Sequence, residues 1–155
     1  MVNEPATRCT RAINVALTAV FYGSRMGRQN DAKHTIFIVD DDRDHAESIA
    51  DLLELRGHEV EMAFTGEAAV KRFAEREFDL TLLDVKLPGM NGVEAFFAMR
   101  RQRADAQVIM MTGFSIEHLL SQAMLSGAHA ILHKPFAIPE LMRAIDQANP
   151  SGKMA

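Results

Sequence analysis

Short apolar runs alternate with helical stretches from residue 35 onward. Five runs have the length and composition of strands, at residues 36–39, 59–63, 80–83, 108–111 and 130–132. The first, third and fourth runs are almost continuously apolar, as expected of strands that helices cover on both faces. The second run alternates Val60 and Met62 with glutamates, which indicates a strand at the edge of a sheet. The pattern predicts an α/β fold with a five-stranded parallel sheet.

Cap residues and apolar spacing predict five helices between and after these strands. The first helix has Asp44 as its predicted N-cap and is predicted to end at Gly57. Thr65, Ser115 and Pro139 mark the predicted starts of three others. Each strand is thus followed by one helix, as repeated strand–helix units require.

Residues 1–33 differ in composition from the remainder, with five basic side chains against two acidic ones. Apolar residues at helical spacing from Ile13 to Phe21 predict an additional amphipathic helix. The apolar run 12–22 is shorter than the roughly 20 residues that a membrane span needs, so membrane contact is not favoured. Two interpretations stay open: a helix that docks on a partner, or a dispensable leader before a translation start at Met26.

The predicted domain covers residues 34–148 and is followed by a tail, residues 149–155. Seven polar or small residues are too few to form an output domain, so the signal is expected to leave through a partner. The whole chain has 155 residues, 48% of them hydrophobic and 25% charged, which is typical of a soluble domain.

Charge and cysteine content exclude several classes of function. A formal net charge of -4 provides no basic surface for nucleic-acid phosphates, so direct binding of nucleic acid is not expected. The single cysteine, Cys9, excludes an intrachain disulfide and fits the reducing conditions of the cytoplasm.

Polar side chains follow four of the five predicted strands. In an open parallel sheet, sites form beyond the carboxyl ends of the strands, where these side chains converge. The candidates are Asp40, Asp41, Asp42, Asp84, Thr112 and Lys134. Taken singly, the acid run is typical of a helix cap, the threonine of a turn and the lysine of a solvated surface. Asp42 and Asp44 are interpreted as capping residues.

These residue types suit aspartyl phosphate chemistry. A carboxylate that accepts a phosphoryl group must overcome the repulsion between two anions. Paired carboxylates offer the hard oxygen ligands that Mg²⁺ prefers, and the cation would reduce that repulsion. The Lys134 ammonium and the Thr112 hydroxyl are suited to donate hydrogen bonds to phosphoryl oxygens.

Four motifs resemble the response-regulator receiver domain of two-component systems. They are TIFIVDDD at 35–42, LLDVKLPGMNG at 82–92, MMTG at 110–113 and HKPF at 133–136. Each string alone is weak, but their order and spacing over roughly residues 34–148 are specific. The resemblance implies a doubly wound, flavodoxin-like fold and a cytoplasmic switch that a phosphoryl group turns on.

The resemblance also implies roles for the residues at matching positions. Asp84 would accept the phosphoryl group, and Thr112 and Lys134 would contact it. Mg²⁺ would be held by Asp40, Asp41, Asp84 and the backbone carbonyl of Lys86. Lys134–Pro135 resembles the family's cis peptide, and Pro88, Gly89 and Gly92 its loop around the site. The donor of the phosphoryl group would be a histidine kinase or a histidine phosphotransfer protein. A downstream protein would receive the signal. Phosphorylation-dependent dimerisation is left open.

Departures from the family pattern leave two alternative functions open. Ile131 stands where the family often has an aromatic side chain, so a phosphorylation-independent scaffold is the first alternative. An aspartate-nucleophile phosphohydrolase is the second, although Lys86 replaces the second acid that such enzymes carry. The chain is otherwise expected to catalyse only its own phosphorylation and a slow dephosphorylation, with Lys86 and Phe114 modulating water access. The six histidines show no metal-ligand spacing, and most are predicted to be surface residues.

Overall fold

A computed structural model of the chain describes residues 33–113 and 117–148. The N-terminal helix predicted within residues 1–33, the helix start at Ser115, Phe114 and the tail 149–155 lie outside these residues. Across the two described ranges, no helix has the length and apolar character needed to cross a membrane.

Five strands form one parallel sheet in the described part of the chain. They are β1 Thr35–Val39, β2 Glu59–Ala63, β3 Leu80–Asp84, β4 Val108–Thr112 and β5 Ala130–His133. Their spatial order is β2-β1-β3-β4-β5, with every neighbouring pair parallel. The predicted sheet and the edge position of its second strand are confirmed. Asp84 and Thr112, predicted to follow their strands, are the last residues of β3 and β4.

Within residues 33–113 and 117–148, five helices connect and follow these strands. They are α1 Arg43–Leu55, α2 Gly66–Glu75, α3 Gly92–Gln102, α4 Glu117–Leu125 and α5 Ile138–Ala148. Thr65 caps α2 as predicted, and Gly57 follows α1 with φ +89°, a conformation that favours glycine. Pro139 is the second residue of α5, in the first turn, where the missing N–H of proline costs no hydrogen bond.

The prediction of Asp44 as the cap of α1 was wrong. Asp42 is the N-cap: its backbone is extended, and its carboxylate accepts a hydrogen bond from the amide of His45 at 3.1 Å. Asp44 is the second residue of the helix, in its first turn, where its charge interacts favourably with the positive end of the helix dipole. Only three residues therefore separate the end of β1 from the helix, which brings its first turn over the end of that strand.

The sheet separates two hydrophobic cores. Ile36 and Ile38 of β1 point to the face that α1 and α5 cover, whereas Phe37 and Val39 point to the face that α2, α3 and α4 cover. All four side chains are completely buried, which explains why β1 is a continuous apolar run rather than an alternating one. The layered, doubly wound architecture is confirmed.

The edge strand β2 carries an ion-pair network along its glutamates. Glu61 accepts hydrogen bonds from the Arg72 guanidinium of α2 at 2.7 and 2.9 Å, and Arg76 pairs with both Glu59 and Glu61. Met62, on the other hand, is 38% exposed. Charged side chains along an edge strand oppose pairing with a second chain, so the alternation of β2 protects the sheet edge.

Helix α3 begins with a reciprocal cap beside the candidate site. The Asn91 side chain accepts from the Glu94 amide at 2.9 Å, and the Glu94 carboxylate accepts from the Asn91 amide at 3.0 Å. Asn91→Ala removes one partner of this capping box and is expected to lower the free energy of unfolding by about 1 kcal/mol. Urea denaturation measures the change, and Asn91→Ser, which retains a capping side chain, is the control. Equal stability of the alanine and serine variants would contradict the assignment.

Candidate functional site

The carboxyl ends of four strands meet at one edge of the sheet. The Val85 amide, directly after β3, donates to the Met111 carbonyl of β4 at 2.8 Å. The Lys134 amide, directly after β5, donates to the Thr112 carbonyl at 2.7 Å. These bonds fix the strand ends side by side, so the polar residues predicted to converge do lie at one rim.

Three carboxylates form a cluster at this rim. One oxygen each from Asp40, Asp41 and Asp84 lies within 4.8 Å of the other two. Asp40 is fully buried and Asp84 is 5% exposed, whereas Asp41 is open to solvent. Hard carboxylate oxygens at this separation fit Mg²⁺, which also retains several waters and so needs an open side. The donor set of the structure therefore suits the metal that the sequence indicates.

Lys134 joins the two buried carboxylates. Its Nζ donates to Asp40 Oδ2 at 2.8 Å and to Asp84 Oδ2 at 2.7 Å. Burial raises the pKa of Asp84, and the charge of Asp40 adds to this increase, although the Lys134 hydrogen bond opposes it. Burial also disfavours the charged form of Asp40, but hydrogen bonds from His45, Lys134 and the Asp42 amide outweigh it and hold the pKa of Asp40 well below its usual value. The added hydrogen bonds from His45 and the Asp42 amide thus favour the charged form of Asp40, whereas burial disfavours the charged form of Asp84.

A raised pKa at Asp84 has a measurable effect on stability. Above that raised pKa, the charged Asp84 disfavours the folded state, and the penalty disappears as the pH falls toward the unfolded-chain pKa of about 3.9. Without metal, Asp84→Asn is expected to increase the free energy of unfolding by about 1 kcal/mol at pH 8. The increase should be constant above the raised pKa and shrink below it toward pH 4. Urea denaturation of both proteins across this range measures it, and an increase that grows on acidification would contradict the assignment.

The other predicted site residues also lie at the rim. Thr112 is buried at the end of β4 with 1% exposure. The Lys86 side chain is exposed, and its amide donates to Asp84 Oδ1 at 3.1 Å. The Lys134–Pro135 peptide is cis, as the resemblance implies. Ile131 is half-buried and packs against the core beneath α2, α3 and α4.

The loop between β3 and α3 is held close to the site at both ends. The Glu67 carboxylate, in the first turn of α2, accepts a hydrogen bond from the Met90 amide at 2.9 Å. The Gly92 amide donates to the Val85 carbonyl at 2.8 Å. Gly89 has φ +71°, a conformation that glycine adopts without strain. Glu67 was not among the predicted site residues, because its contact joins positions 23 residues apart.

Sequence reasoning also missed His45, which was grouped with the surface histidines. Its Nδ1 lies 2.6 Å from Asp40 Oδ2, and its side chain is 30% exposed. The ring meets the edge of Phe136 at a centroid distance of 5.7 Å. The available signal was Asp42 as the alternative cap of α1, because a helix that starts there has His45 in its first turn, where it can fold back over the end of β1.

Comparisons with known proteins agree with this geometry. Residues 36–146 match the model of the response regulator receiver domain. A response regulator receiver protein from Anaeromyxobacter sp. is 35% identical over 105 residues, which cover 68% of this chain and 44% of that protein. The chain therefore spans less than half the length of this curated relative.

Two crystal structures share the fold. A CheY-like response regulator receiver domain protein from Methanospirillum hungatei is 31% identical with a TM-score of 0.73, and the match covers 78% of this chain and 100% of that one. Response regulator protein TrrA from Thermotoga maritima, in complex with Mg²⁺-BeF, is 29% identical with a TM-score of 0.68, covering 74% and 98%. With the family model matching most of its length, the chain belongs to the response regulator receiver domain family.

Proposed function

We propose that the chain is a switch in a two-component system and that Asp84 accepts a phosphoryl group in a Mg²⁺-dependent reaction. The observation that supports this most strongly is the bridge from Lys134 to Asp40 and Asp84, at 2.8 and 2.7 Å, beside the three-carboxylate cluster. A buried carboxylate, a neighbouring group of metal-binding acids and a lysine ammonium are the groups that phosphoryl transfer to an acid requires.

The reaction forms one bond and breaks one. An oxygen of the Asp84 carboxylate attacks phosphorus, and the P–N bond of a phosphohistidine in the donor breaks. The electron pair stays on the imidazole nitrogen of the donor, which takes a proton from solvent. Mg²⁺, held by Asp40, Asp41, Asp84 and the Lys86 carbonyl, would offset the negative charge of the transferring group.

Two side chains are placed to hold the transferred group. Lys134 Nζ already lies 2.7 Å from Asp84 Oδ2, so a small movement would pair it with a phosphoryl oxygen. Thr112 ends the neighbouring strand, and its hydroxyl would donate to a second phosphoryl oxygen. Their displacement toward the phosphoryl group would change the end of β4 and the start of the β5–α5 loop.

The proposed partners are those expected of the family to which the chain belongs. A histidine kinase or a histidine phosphotransfer protein would supply the phosphoryl group, and a downstream protein would bind the altered surface. Ile131 of β5 lies beside β4 and packs, half-buried, against the core that α2, α3 and α4 cover. Movement of Thr112 would therefore reach the surface through the packing of this aliphatic side chain.

Intact-mass analysis with acetyl phosphate tests the proposal. The protein is expected to gain one phosphoryl group in the presence of Mg²⁺ and none when the metal is removed by a chelator. Modification that does not depend on Mg²⁺ would contradict the proposed role of the carboxylate cluster. Folded protein that stays unmodified with Mg²⁺ and with a phosphorylated histidine donor would favour the phosphorylation-independent scaffold, and continuous release of phosphate from small phosphate esters would favour the phosphohydrolase.

A further inference from the structure

His45 contacts the carboxylate cluster without belonging to it. The three acids whose oxygens lie within 4.8 Å of one another are Asp40, Asp41 and Asp84, whereas His45 reaches only Asp40, at 2.6 Å. The imidazole is therefore not one of the grouped ligands. It instead contacts one of them, Asp40. A side chain in such a position can set the orientation of a metal-binding carboxylate.

The hydrogen bonds of Asp40 show what the histidine does. Oδ1 accepts from the Asp42 amide at 3.0 Å, and Oδ2 accepts from Lys134 at 2.8 Å beside the His45 contact. A carboxylate has about four lone-pair positions, so His45 and Lys134 together occupy Oδ2 and leave the remaining position on Oδ1. Asp40 is fully buried, so these protein donors satisfy its carboxylate in place of water.

The direction of the His45 hydrogen bond follows from the charge of its partner. An ionised carboxylate only accepts, so Nδ1 carries the hydrogen and donates it to Oδ2. The imidazole also makes an edge-type contact with the Phe136 ring, with the ring planes at 62°. Phe136 lies in the β5–α5 loop two residues after Lys134, so the same loop carries both the second donor to Asp40 and the side chain that supports the first.

The two donors to Oδ2 differ in what happens to them during the proposed reaction. Lys134 must turn from the carboxylates to a phosphoryl oxygen, which removes one hydrogen bond from Asp40. His45 has no second partner in the cluster and stays where it is. The imidazole is then the side-chain donor that continues to hold the buried carboxylate after the lysine has moved.

From this geometry we infer that His45 is a positioning residue, which holds the Asp40 carboxylate in the orientation that binds Mg²⁺ before and after phosphoryl transfer. The inference rests on the proposed function of the cluster. It extends that function to a residue in α1 and assigns to Phe136 the task of fixing the imidazole ring.

Three substitutions at His45 distinguish the effect of its hydrogen bond from the effect of its ring packing. His45→Phe keeps an aromatic ring against Phe136 and removes the donor. His45→Asn places an amide nitrogen near the position of Nδ1, whereas His45→Gln reaches to the position of Nε2 and misses Oδ2. His129→Asn is the matched control, because His129 precedes β5 at the opposite end of the sheet.

Calorimetric titration with Mg²⁺ measures binding without any phosphorylation. His45→Phe and His45→Gln are expected to raise the dissociation constant for Mg²⁺ about tenfold, the lower end of what loss of such a supporting group costs. His45→Asn should recover most of the affinity, and His129→Asn should match the wild type. At saturating Mg²⁺, all four should be phosphorylated by acetyl phosphate at rates within about twofold of one another, because only the affinity for the metal has changed.

Two results would overturn the inference. One is unchanged Mg²⁺ affinity in His45→Phe. The other is an equal loss of affinity in the asparagine and phenylalanine variants together with an equal loss of unfolding free energy, which would make the role merely structural. Wild-type protein that binds Mg²⁺ without being phosphorylated would refute the proposed function alone, and the binding curves would still decide the role of His45. Wild-type protein that binds no Mg²⁺ would refute both.

Discussion

Asp84→Asn is expected to abolish phosphorylation by acetyl phosphate at any Mg²⁺ concentration. An amide oxygen is a weak nucleophile compared with a carboxylate, and the substitution also removes one of the three charges of the cluster. The Asn side chain is nearly the same size as Asp, and its oxygen can still accept from Lys134, so the fold should persist. Intact-mass analysis after incubation with the donor is the measurement.

Asp42→Asn is the matched control for this substitution. Asp42 lies at the same rim, but it caps α1 and is not one of the three clustered acids. Asn is as good an N-cap as Asp, so the control should keep both its stability and its phosphorylation. A full gain of mass in Asp84→Asn would show that another carboxylate accepts the phosphoryl group. If neither variant gained the mass of a phosphoryl group, the failure of Asp84→Asn would be an effect of net charge.

Gly92→Ala is expected to destabilise the fold by about 3 kcal/mol, a large share of the 5–15 kcal/mol that stabilises a typical domain. A Cβ atom at residue 92 would lie 1.9 Å from the Asp84 carbonyl oxygen and 2.7 Å from the Val85 Cα. Both atoms belong to the backbone, so neither can move aside as a flexible side chain would. The first turn of α3 must therefore separate from the end of β3, which breaks the Gly92 amide hydrogen bond to Val85.

Gly113→Ala is the control for this prediction. Gly113 follows β4 at the same end of the sheet, but a Cβ atom there would meet nothing within 4 Å. Urea denaturation should show a change within about 0.5 kcal/mol for Gly113→Ala. Similar stabilities of the two variants would contradict the close approach of α3 to the Asp84 backbone. Because that approach positions Asp84, Gly92→Ala should also be phosphorylated more slowly than the control at saturating Mg²⁺.

The periodicity of the sequence was sufficient to predict the strands, because a strand that is buried on both faces must be apolar at nearly every position. Ile36 to Val39 must all be apolar when helices cover both sides of β1, and the structure buries all four completely. The convergence of Asp40, Asp84, Thr112 and Lys134 followed from the same parallel topology. Their roles in phosphoryl transfer stay predictions until the reaction is measured.

The errors concern contacts that residue spacing alone does not specify. Asp44 was chosen as a cap because it precedes the apolar stripe of α1, but Asp42 reaches the free amide of His45 and starts the helix two residues earlier. That early start places His45 over the end of β1, and the contact with Asp40 depends on it. The link between Glu67 and Met90 likewise depends on how α2 packs beside the β3–α3 loop, which sequence spacing does not specify.

Locating the phosphoryl group in the wild-type chain tests the central claim most directly. Reduction of the acetyl phosphate-treated protein with borohydride converts the acyl phosphate of an aspartate to homoserine, which peptide mass spectrometry identifies. Homoserine at position 84, dependent on Mg²⁺ during phosphorylation, is the predicted result. Homoserine at Asp41 or at any other acid instead of position 84 would contradict the account.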